Sequence, residues 1–274
     1  MSKDVFPTLR KTNLALILIL FVFFNASLVN AEEGDKEKKE KKYFSSTSFS
    51  FLLTRGNNED LNFSFDTDQN LNFEKNKFNL KVNIILTSSR NKVKSEIYTS
   101  HLKYRRKIGP KAYLLGLFSF EKNKSAGYDS RFIFSIGVGS TILQRRKIEI
   151  YSDLSIGWTR EDFIEAILEN RLLKELSQNN LEDRKAFSSY VSSVFSSRVM
   201  YNLSSTSQFI LQESFFFNLR VIKDWRINTS SSLSASISRY FALKISIQLN
   251  YDHQPVPGFK STDFFLLNSL VVKF

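Results

Sequence analysis

The sequence predicts an all-β protein: a transmembrane, antiparallel, up-and-down β-barrel of about 12 strands, preceded by a cleaved signal peptide. Three observations predict this fold class: an export signal at the amino terminus, short segments in which apolar and polar residues alternate, and a last strand that ends on an aromatic residue. The 274 residues include 27 Phe and no Cys, so no disulfide holds the fold. A closed ladder of backbone hydrogen bonds in lipid would hold it instead.

The last strand carries an apolar stripe. Counted back from the carboxyl end in steps of two, the stripe consists of Phe274, Val272, Leu270, Asn268, Leu266 and Phe264, and all of them except Asn268 are apolar. These side chains share one face, because a strand has a side-chain period of two. Barrels of the bacterial outer membrane end in this way, with an aromatic at headgroup depth on the periplasmic side. The stripe therefore favours the outer membrane of a Gram-negative bacterium as the location.

The first 31 residues are typical of a secretory signal peptide. Lys3, Arg10 and Lys11 form a basic segment, residues 14–24 are apolar without interruption, and residues 29–31 form a small-x-small cleavage site. We expect cleavage after residue 31. A membrane anchor is disfavoured, because the apolar run would span about 16 Å as a helix, roughly half of a hydrocarbon core.

A run of charged residues separates the predicted signal peptide from the predicted barrel. Residues 32–42 are almost all charged and contain no aromatic residue, so we expect a disordered periplasmic spacer there and the barrel in residues 43–274. The formal net charge of the chain is +12. Export argues against nucleic acid as the partner of this charge. Outer-membrane lipid and lipopolysaccharide are the expected partners, and the barrel-assembly machinery is the expected partner of the last strand.

Alternation recurs along the whole predicted barrel. Residues 78–87, 131–139, 148–158 and 243–252 place apolar side chains at every second position, over the length of a membrane-spanning strand. The predicted strands are about 45–55, 60–72, 76–87, 95–105, 111–121, 128–142, 147–160, 185–201, 206–219, 225–237, 241–251 and 263–274. A soluble barrel or sandwich is the alternative fold. The serine-rich polar stripe of residues 230–236 suits a wet lumen better than an outer surface.

The connections after odd strands are predicted to be longer than those after even strands, as expected when both termini are periplasmic. The segment 161–184 is the longest connection, and the segment 88–93 is another on the same side. In the long one, Phe163, Ile164, Ile167, Leu168, Leu172, Leu173 and Leu176 recur at three- and four-residue spacing. This spacing indicates either a short amphipathic helix or an ordinary folded loop.

Two sets of candidate functional residues follow from strand parity and position. The residues predicted to line the lumen are Lys81, Arg131, Glu149, Asp153, Glu161, Lys244 and Asp252. The aromatic residues predicted to lie at the two membrane interfaces are Tyr104, Tyr113, Trp158, Tyr201, Trp225, Tyr240, Tyr251 and Phe274. A hairpin turn near residues 144–145 would place Arg131 opposite Trp158 with Glu161 close by, so we expect Arg131 and Glu161 to pair.

Several stretches resemble a known family. They are Thr54-Arg55-Gly56-Asn57, Gly127-Tyr128-Asp129-Ser130-Arg131 with Gly137-Val138-Gly139, Gly157-Trp158-Thr159-Arg160-Glu161, and Tyr251-Asp252-His253-Gln254-Pro255-Val256-Pro257-Gly258 followed by Thr262-Asp263. In order and spacing they are similar to the domain of unknown function 481, the family of salt-induced outer-membrane proteins, over residues 47–274. The segment near 163–180 departs from the pattern. The resemblance implies an outer-membrane β-barrel and no assigned activity.

The sequence leaves two functions open for such a barrel: a narrow channel for small solutes, and a structural or stress-related envelope protein. The alternative is a lipid-modifying hydrolase of lipase or deacylase type, which needs a Ser–His pair at the outer rim on the lipid face. His101 and His253 are the two histidines, and Ser261 is one serine near His253. No catalytic residue, metal site or cofactor is predicted, because no metal-ligand spacing or phosphate-binding glycine loop is present.

Charged substitutions should separate the two faces of the predicted barrel. Ile247→Arg places a charge towards lipid near mid-strand, at a cost of about 2–4 kcal/mol at the bilayer midplane. Gln248→Arg places the same charge in the lumen, where water or a carboxylate solvates it. In a refolding titration into bilayers, Ile247→Arg should be the more damaging variant. Equal damage would reject the assignment of faces, and greater damage from Gln248→Arg would indicate a soluble barrel with an apolar interior.

Overall fold

The computed structural model describes residues 42–54, 60–89, 92–164 and 187–273. The predicted signal peptide, spacer residues 32–41, residues 165–186 of the long connection and Phe274 lie outside these ranges. The helix predicted in the long connection therefore stays a prediction. One of its apolar residues, Phe163, is the last residue of a strand, so the helical spacing begins before the connection does.

The described residues form twelve antiparallel strands. They are β1 (Lys42–Thr54), β2 (Asp60–Asn72), β3 (Asn76–Ser89), β4 (Lys92–Lys107), β5 (Ala112–Asn123), β6 (Tyr128–Gln144), β7 (Ile148–Phe163), β8 (Phe187–Asn202), β9 (Ser207–Asn218), β10 (Trp225–Ser236), β11 (Phe241–Asp252) and β12 (Thr262–Lys273). Each strand pairs with its neighbours in sequence, and β1 pairs with β12 to close the barrel. The predicted up-and-down barrel and its strand number are confirmed.

The closing pair is short. The register joins Ser46 to Lys273 and Phe49 to Leu270, so only four successive residue pairs connect β1 to β12 among the described residues. By contrast, β1 pairs with β2 along its whole length, from Lys42 opposite Asn72 to Thr54 opposite Asp60. The seam of the barrel therefore has far fewer hydrogen bonds than a typical strand pair.

The two faces of the barrel have opposite polarity. On β6, Phe134, Ile136 and Val138 point outward and are 61%, 63% and 55% exposed, whereas the inward Arg131 and Ser135 are buried. The outward face is therefore apolar and the inward face is polar, which is the reverse of a soluble protein. Closure gives every described strand a neighbour on each side, as a sheet in lipid requires. No helix among the described residues is long and apolar enough to cross a membrane.

Inward glycines allow β6 and β7 to bend sharply. A Cβ atom at Gly157 would lie 2.1 Å from the carbonyl oxygen of Phe134, and one at Gly137 would lie 2.2 Å from that of Leu154. Opposite these glycines lie two serines, since Ser135 faces Gly157 and Ser155 faces Gly137. Each inward pair thus combines one glycine with one small residue. This is the local reason for the glycines that the sequence places in these two strands.

The connections define two ends of the barrel. The terminal end holds the start of β1, the end of β12 and the short connections 73–75, 108–111, 145–147, 203–206 and 237–240. The loop end holds the connections 55–59, 90–91, 124–127, 164–186, 219–224 and 253–261. The expectation of a longer connection at 88–93 is wrong, because β3 continues to Ser89 and β4 begins at Lys92.

The register between β6 and β7 differs from the predicted one. Arg131 lies opposite Glu161, and Trp158 lies opposite Phe134. The turn is centred on residues 145–147 rather than 144–145, and the register shifts between Thr141 and Leu143. The two expected partners, Arg131 and Glu161, are therefore direct cross-strand neighbours.

A substitution at Gly157 should disrupt assembly of the barrel. Gly157→Val forces a branched side chain against the backbone of β6, so we expect destabilisation of about 3 kcal/mol or more and loss of the compact, heat-modifiable band in gel electrophoresis. Gly116→Val is the matched control, because a Cβ atom at Gly116 meets nothing within 4 Å. Similar refolding yields for the two variants would contradict the close approach of β6 and β7.

Candidate functional site

Two cavities occupy the lumen. One has a volume of about 340 Å³ and extends towards the loop end, and the other has about 370 Å³ and lies at the terminal end. They share lining residues, among them Asp66, Lys81, Arg198 and Gln212. The Lys81 Nζ donates a hydrogen bond of 2.7 Å to the Gln212 Oε1, from β3 across to β9. This bridge separates the two cavities and forms a constriction in the lumen.

A carboxylate on β7 collects donors from the facing wall of the first cavity. The Asp153 Oδ2 accepts from the Lys103 Nζ at 2.8 Å and lies 3.4 Å from the Arg105 Nη2. The Tyr113 hydroxyl donates to the Asp153 Oδ1, and its ring occupies the space above Gly139. Asp153 therefore ties β4 and β5 to β7 through the lumen.

The terminal-end cavity contains a further ion pair. The Lys244 Nζ lies 3.1 Å from the Asp66 Oδ1, so it joins β11 to β2 across the seam strands. The neighbouring Asp68 Oδ1 accepts hydrogen bonds from the side-chain amides of Asn70 and Asn79. Both carboxylates thus have donors within the barrel wall.

The centre of the loop end is a buried ion network. Glu161 is 3% exposed, and its Oε1 accepts from the Arg131 Nε at 2.8 Å and from the Arg226 Nη1 at 2.6 Å. Arg131 lies on β6 and Arg226 on β10, so one carboxylate oxygen connects two strands that are not neighbours in the barrel. A charge so deeply buried is stable only with such partners.

Three more carboxylates surround the two arginines. The Arg131 Nη1 reaches Glu121 at 2.9 Å, while the Arg226 Nε and Nη2 reach Asp252 at 2.9 Å and Asp224 at 3.0 Å. We call the six residues Glu121, Arg131, Glu161, Asp224, Arg226 and Asp252 the mouth cluster. In the 219–224 connection, burial raises the pKa of the Asp224 carboxyl, and repulsion from Glu161 and Asp252 acts in the same direction.

Aromatic and apolar side chains cover the mouth cluster. The Tyr128 ring lies under the guanidinium of Arg131, whose Cζ is 3.8 Å from the ring centroid, and its hydroxyl donates to Asp252 at 3.2 Å. Tyr128 also packs against Val256 of the 253–261 connection, with Phe163 and Phe259 beside them. Part of the β11–β12 connection therefore packs against the aromatic cover of the mouth cluster.

The predicted lumen residues can now be located. Lys81, Arg131, Asp153 and Lys244 line the two cavities. Asp252 lines a separate, smaller cavity of about 50 Å³ at the loop end. Glu161 lies between the two arginines of the mouth cluster. Glu149 is not among the residues that line the cavities; its carboxylate accepts a hydrogen bond of 2.7 Å from Tyr151, which does line the first cavity.

Most of the predicted interface aromatics lie on the outward face or at the strand ends. Trp158, Tyr201 and Tyr240 are exposed. Tyr104 packs on the exposed Phe78 with a centroid distance of 4.9 Å, and Trp225 packs on Tyr251 at 5.3 Å. Phe274 lies outside the described residues.

The assignment of Tyr113 is wrong. Its side chain is 7% exposed and points into the lumen, because its strand neighbour Leu114 takes the outward position. Tyr113 was assigned to the membrane interface because it lies near the start of β5. Its odd or even position in the strand decides which face its side chain takes, and this position places it on the inward face.

Several residues of the site were not predicted from the sequence. Arg226, Glu121, Lys103, Arg105 and Arg198 all line the first cavity. The sequence could have identified Lys103 and Arg105 as lumen residues, because they alternate with Leu102 and Tyr104 along β4 and so share the opposite face. Their strand alternates less clearly than others, which concealed the signal.

The histidines do not form the expected hydrolase arrangement. The His101 Nδ1 and the Ser119 Oγ are 2.8 Å apart, and both residues line the lumen rather than the lipid-facing rim. His253 stacks on Trp225 with a centroid distance of 4.7 Å. Within the described residues, no group of three or more His, Cys, Asp or Glu side chains is placed to hold a metal ion.

A family model described as a protein of unknown function, DUF481, matches residues 47–274. The chain belongs to the DUF481 family. The closed barrel, with its apolar outer surface and polar lumen, is an integral protein of the Gram-negative outer membrane. The family description carries no function, and the name "salt-induced" stays a prediction.

Solved structures of several outer-membrane barrels resemble the fold. The NanC porin is 8% identical with a TM-score of 0.46, and the match covers 84% of this chain and 97% of that one. The translocator domain of the autotransporter NalP from Neisseria meningitidis is 10% identical with a TM-score of 0.44, over 95% and 97% of the chains. The KdgM porin is 9% identical with a TM-score of 0.39, over 84% and 98%. This level of similarity concerns the barrel fold alone. No curated protein matches the sequence.

Removal of one partner from the mouth cluster should destabilise the barrel. Arg131→Ala removes the partner of Glu121 and one of the two partners of Glu161, and Glu161→Ala removes the carboxylate that lies between two buried arginines. We therefore expect losses of about 3–5 kcal/mol in the free energy of unfolding. The double variant should be less damaged than the sum of the two, because the two side chains interact directly. The exposed pair Lys122 and Asp129, 3.9 Å apart, is the control and should show additive losses below about 1 kcal/mol. Additive losses for Arg131 and Glu161 would contradict the pairing.

Proposed function

We propose that this outer-membrane barrel is a narrow channel for small solutes, narrowed at its loop end by the mouth cluster. The observation that carries the proposal is the pair of lumen cavities, which meet at the bridge between Lys81 and Gln212. Each cavity is about ten times the roughly 30 Å³ that one water molecule occupies in the liquid. A barrel whose interior served only for support would fill this space with side chains.

The lining of the cavities is consistent with passage of water-soluble molecules. Residues 230–234 contribute Ser230, Ser232 and Ser234 to the wall of the terminal-end cavity, where their hydroxyl groups face the lumen. Lys81 and Arg198 border both cavities. Small hydroxyl groups leave space for solute and supply weak hydrogen bonds that do not trap it. Under this proposal the polar residues on the inward face, including Arg131, Asp153 and Lys244, line the solute path.

A structural or stress-related envelope protein is the second candidate. The mouth cluster favours it, because six interlocking charged side chains stabilise a closed barrel. A lipid-modifying hydrolase is not favoured, since the Ser119–His101 pair lies in the lumen. As part of the proposal, the outward surface contacts lipid and lipopolysaccharide, and the barrel-assembly machinery recognises the last strand.

Planar-bilayer recordings of the refolded mature protein distinguish the two candidates. A channel should show small unitary conductance steps, and Gln212→Ala should increase them because it removes the acceptor at the constriction. Gln144→Ala, at the exposed end of β6, is the matched control and should leave conductance unchanged. Absence of conductance in the wild-type protein and in Gln212→Ala would favour the structural role.

A further inference from the structure

The constriction contains cationic side chains without ionised partners. The Lys81 Nζ donates to the neutral amide of Gln212, and no carboxylate lies within ion-pair distance of it among the described residues. Arg198 likewise has no ion pair within the described ranges, and its Nε is buried without a hydrogen-bond partner. Both side chains border the two cavities. Asp68 lies opposite Lys81 in the β2–β3 register, but neither Lys81 nor Arg198 forms a direct ion pair within the described residues. This part of the lumen therefore carries two cations whose charge no bound carboxylate neutralises directly.

The adjoining wall of the first cavity adds to this excess. Lys103 and Arg105 both lie against Asp153, so two cations share one carboxylate. With Lys81 and Arg198 included, the lining of the first cavity holds six cations and four anions, a formal balance of six minus four, or +2. The buried Nε of Arg105 has no hydrogen-bond partner within the described residues. The cationic side chains of this wall therefore have N–H groups that remain able to donate hydrogen bonds to a mobile anion.

Other carboxylates near the first cavity do not offset this charge. Asp66 pairs with Lys244, and Glu121 pairs with Arg131. Glu213 also lines the first cavity and is already included in the balance of +2. Asp66 and Glu121 are therefore paired with cations, and the lining keeps a net positive charge.

The positive section continues to the terminal end. The charged residues that line the terminal-end cavity are Asp66, Asp68, Lys81, Arg198, Lys244 and Lys273. Four cations and two anions give a formal charge of four minus two, or +2. The mouth cluster has the opposite sign, since two arginines face four carboxylates. The charge thus changes sign along the lumen, and the positive section includes the narrowest point.

We infer that the channel selects small anions and that Lys81 and Arg198 form its selectivity element, with phosphate- or carboxylate-bearing solutes as the substrate class. This inference rests on the proposed channel function. At a narrow point with few water molecules, an anion replaces lost hydration by contact with the two cations, whereas a cation is repelled. Arginine presents several donors to a carboxylate or phosphate at once, and lysine contributes a compact charge.

The reversal potential in a gradient of potassium chloride tests this inference. The wild-type protein should pass chloride in preference to potassium. Lys81→Gln and Arg198→Gln should each lower the permeability ratio severalfold, and the double variant should bring it close to one. Lys147→Gln removes the same charge from an exposed turn and should leave the ratio unchanged. Lys81→Arg keeps the charge and should retain anion preference.

A second measurement addresses the substrate class. Inorganic phosphate added to the bath should reduce the chloride current of the wild-type protein, and it should reduce the current of Arg198→Gln much less. Equal inhibition of both proteins, or none in the wild type, would overturn the assignment of an oxyanion-binding constriction.

The possible outcomes separate the two claims. A wild-type channel that prefers potassium, or an anion preference that survives in the double variant, would overturn the inference and leave the channel function intact. Absence of any conductance would remove the channel function and, with it, the inference. The reversal potential of the wild-type protein by itself shows whether the channel prefers anions or cations, so the inference can be tested even where a variant fails to insert.

Discussion

The rest of the structure depends on closure of the backbone hydrogen-bond ladder. Lipid offers no partner for a free N–H or C=O group, so a sheet survives in it only when every strand has two neighbours. The pairing of β1 with β12 meets this condition. Closure also decides where each side chain goes, because a strand of period two in a closed wall has one face for lipid and one for the lumen. The apolar stripe of β12 and the serine stripe of β10 are two results of the same constraint.

Closure also concentrates charge. Side chains on the inward face meet partners from strands distant in sequence, as Lys81 of β3 meets Gln212 of β9. Because these side chains are enclosed by the barrel wall, carboxylates and cations pair or approach one another at close range. The lumen is therefore divided into two parts. Its mouth carries a net negative charge, and there Glu161 binds two arginines. Its interior carries a net positive charge, and there Asp153 is the one carboxylate that pairs with Lys103 and Arg105.

The strands could be predicted from the sequence because their signal is local. Alternation and turn residues located all twelve, with boundaries within a few residues of those observed. The lumen network could be predicted only in part. Arg131 and Glu161 belong to one hairpin, and parity brought them together even though the predicted register was wrong. Arg226 could not be assigned to the same network, because its position opposite β7 depends on the tilt and stagger of the strands between them. Tyr113 shows a different error. It was assigned to the membrane interface because it lies near a strand end, although the alternation of side chains along β5 places it in the lumen.

The shortness of the seam has a mechanical consequence. Among the described residues, four pairs join β1 to β12, whereas β10 and β11 pair from Arg226 opposite Asp252 to Ser236 opposite Ala242. Separation of two strands in lipid requires all their shared hydrogen bonds to break together, so the energy barrier rises with the length of the pair. The seam has the lowest such barrier. We expect the wall to part there first under thermal motion, and the last stage of insertion to be the joining of these two strands.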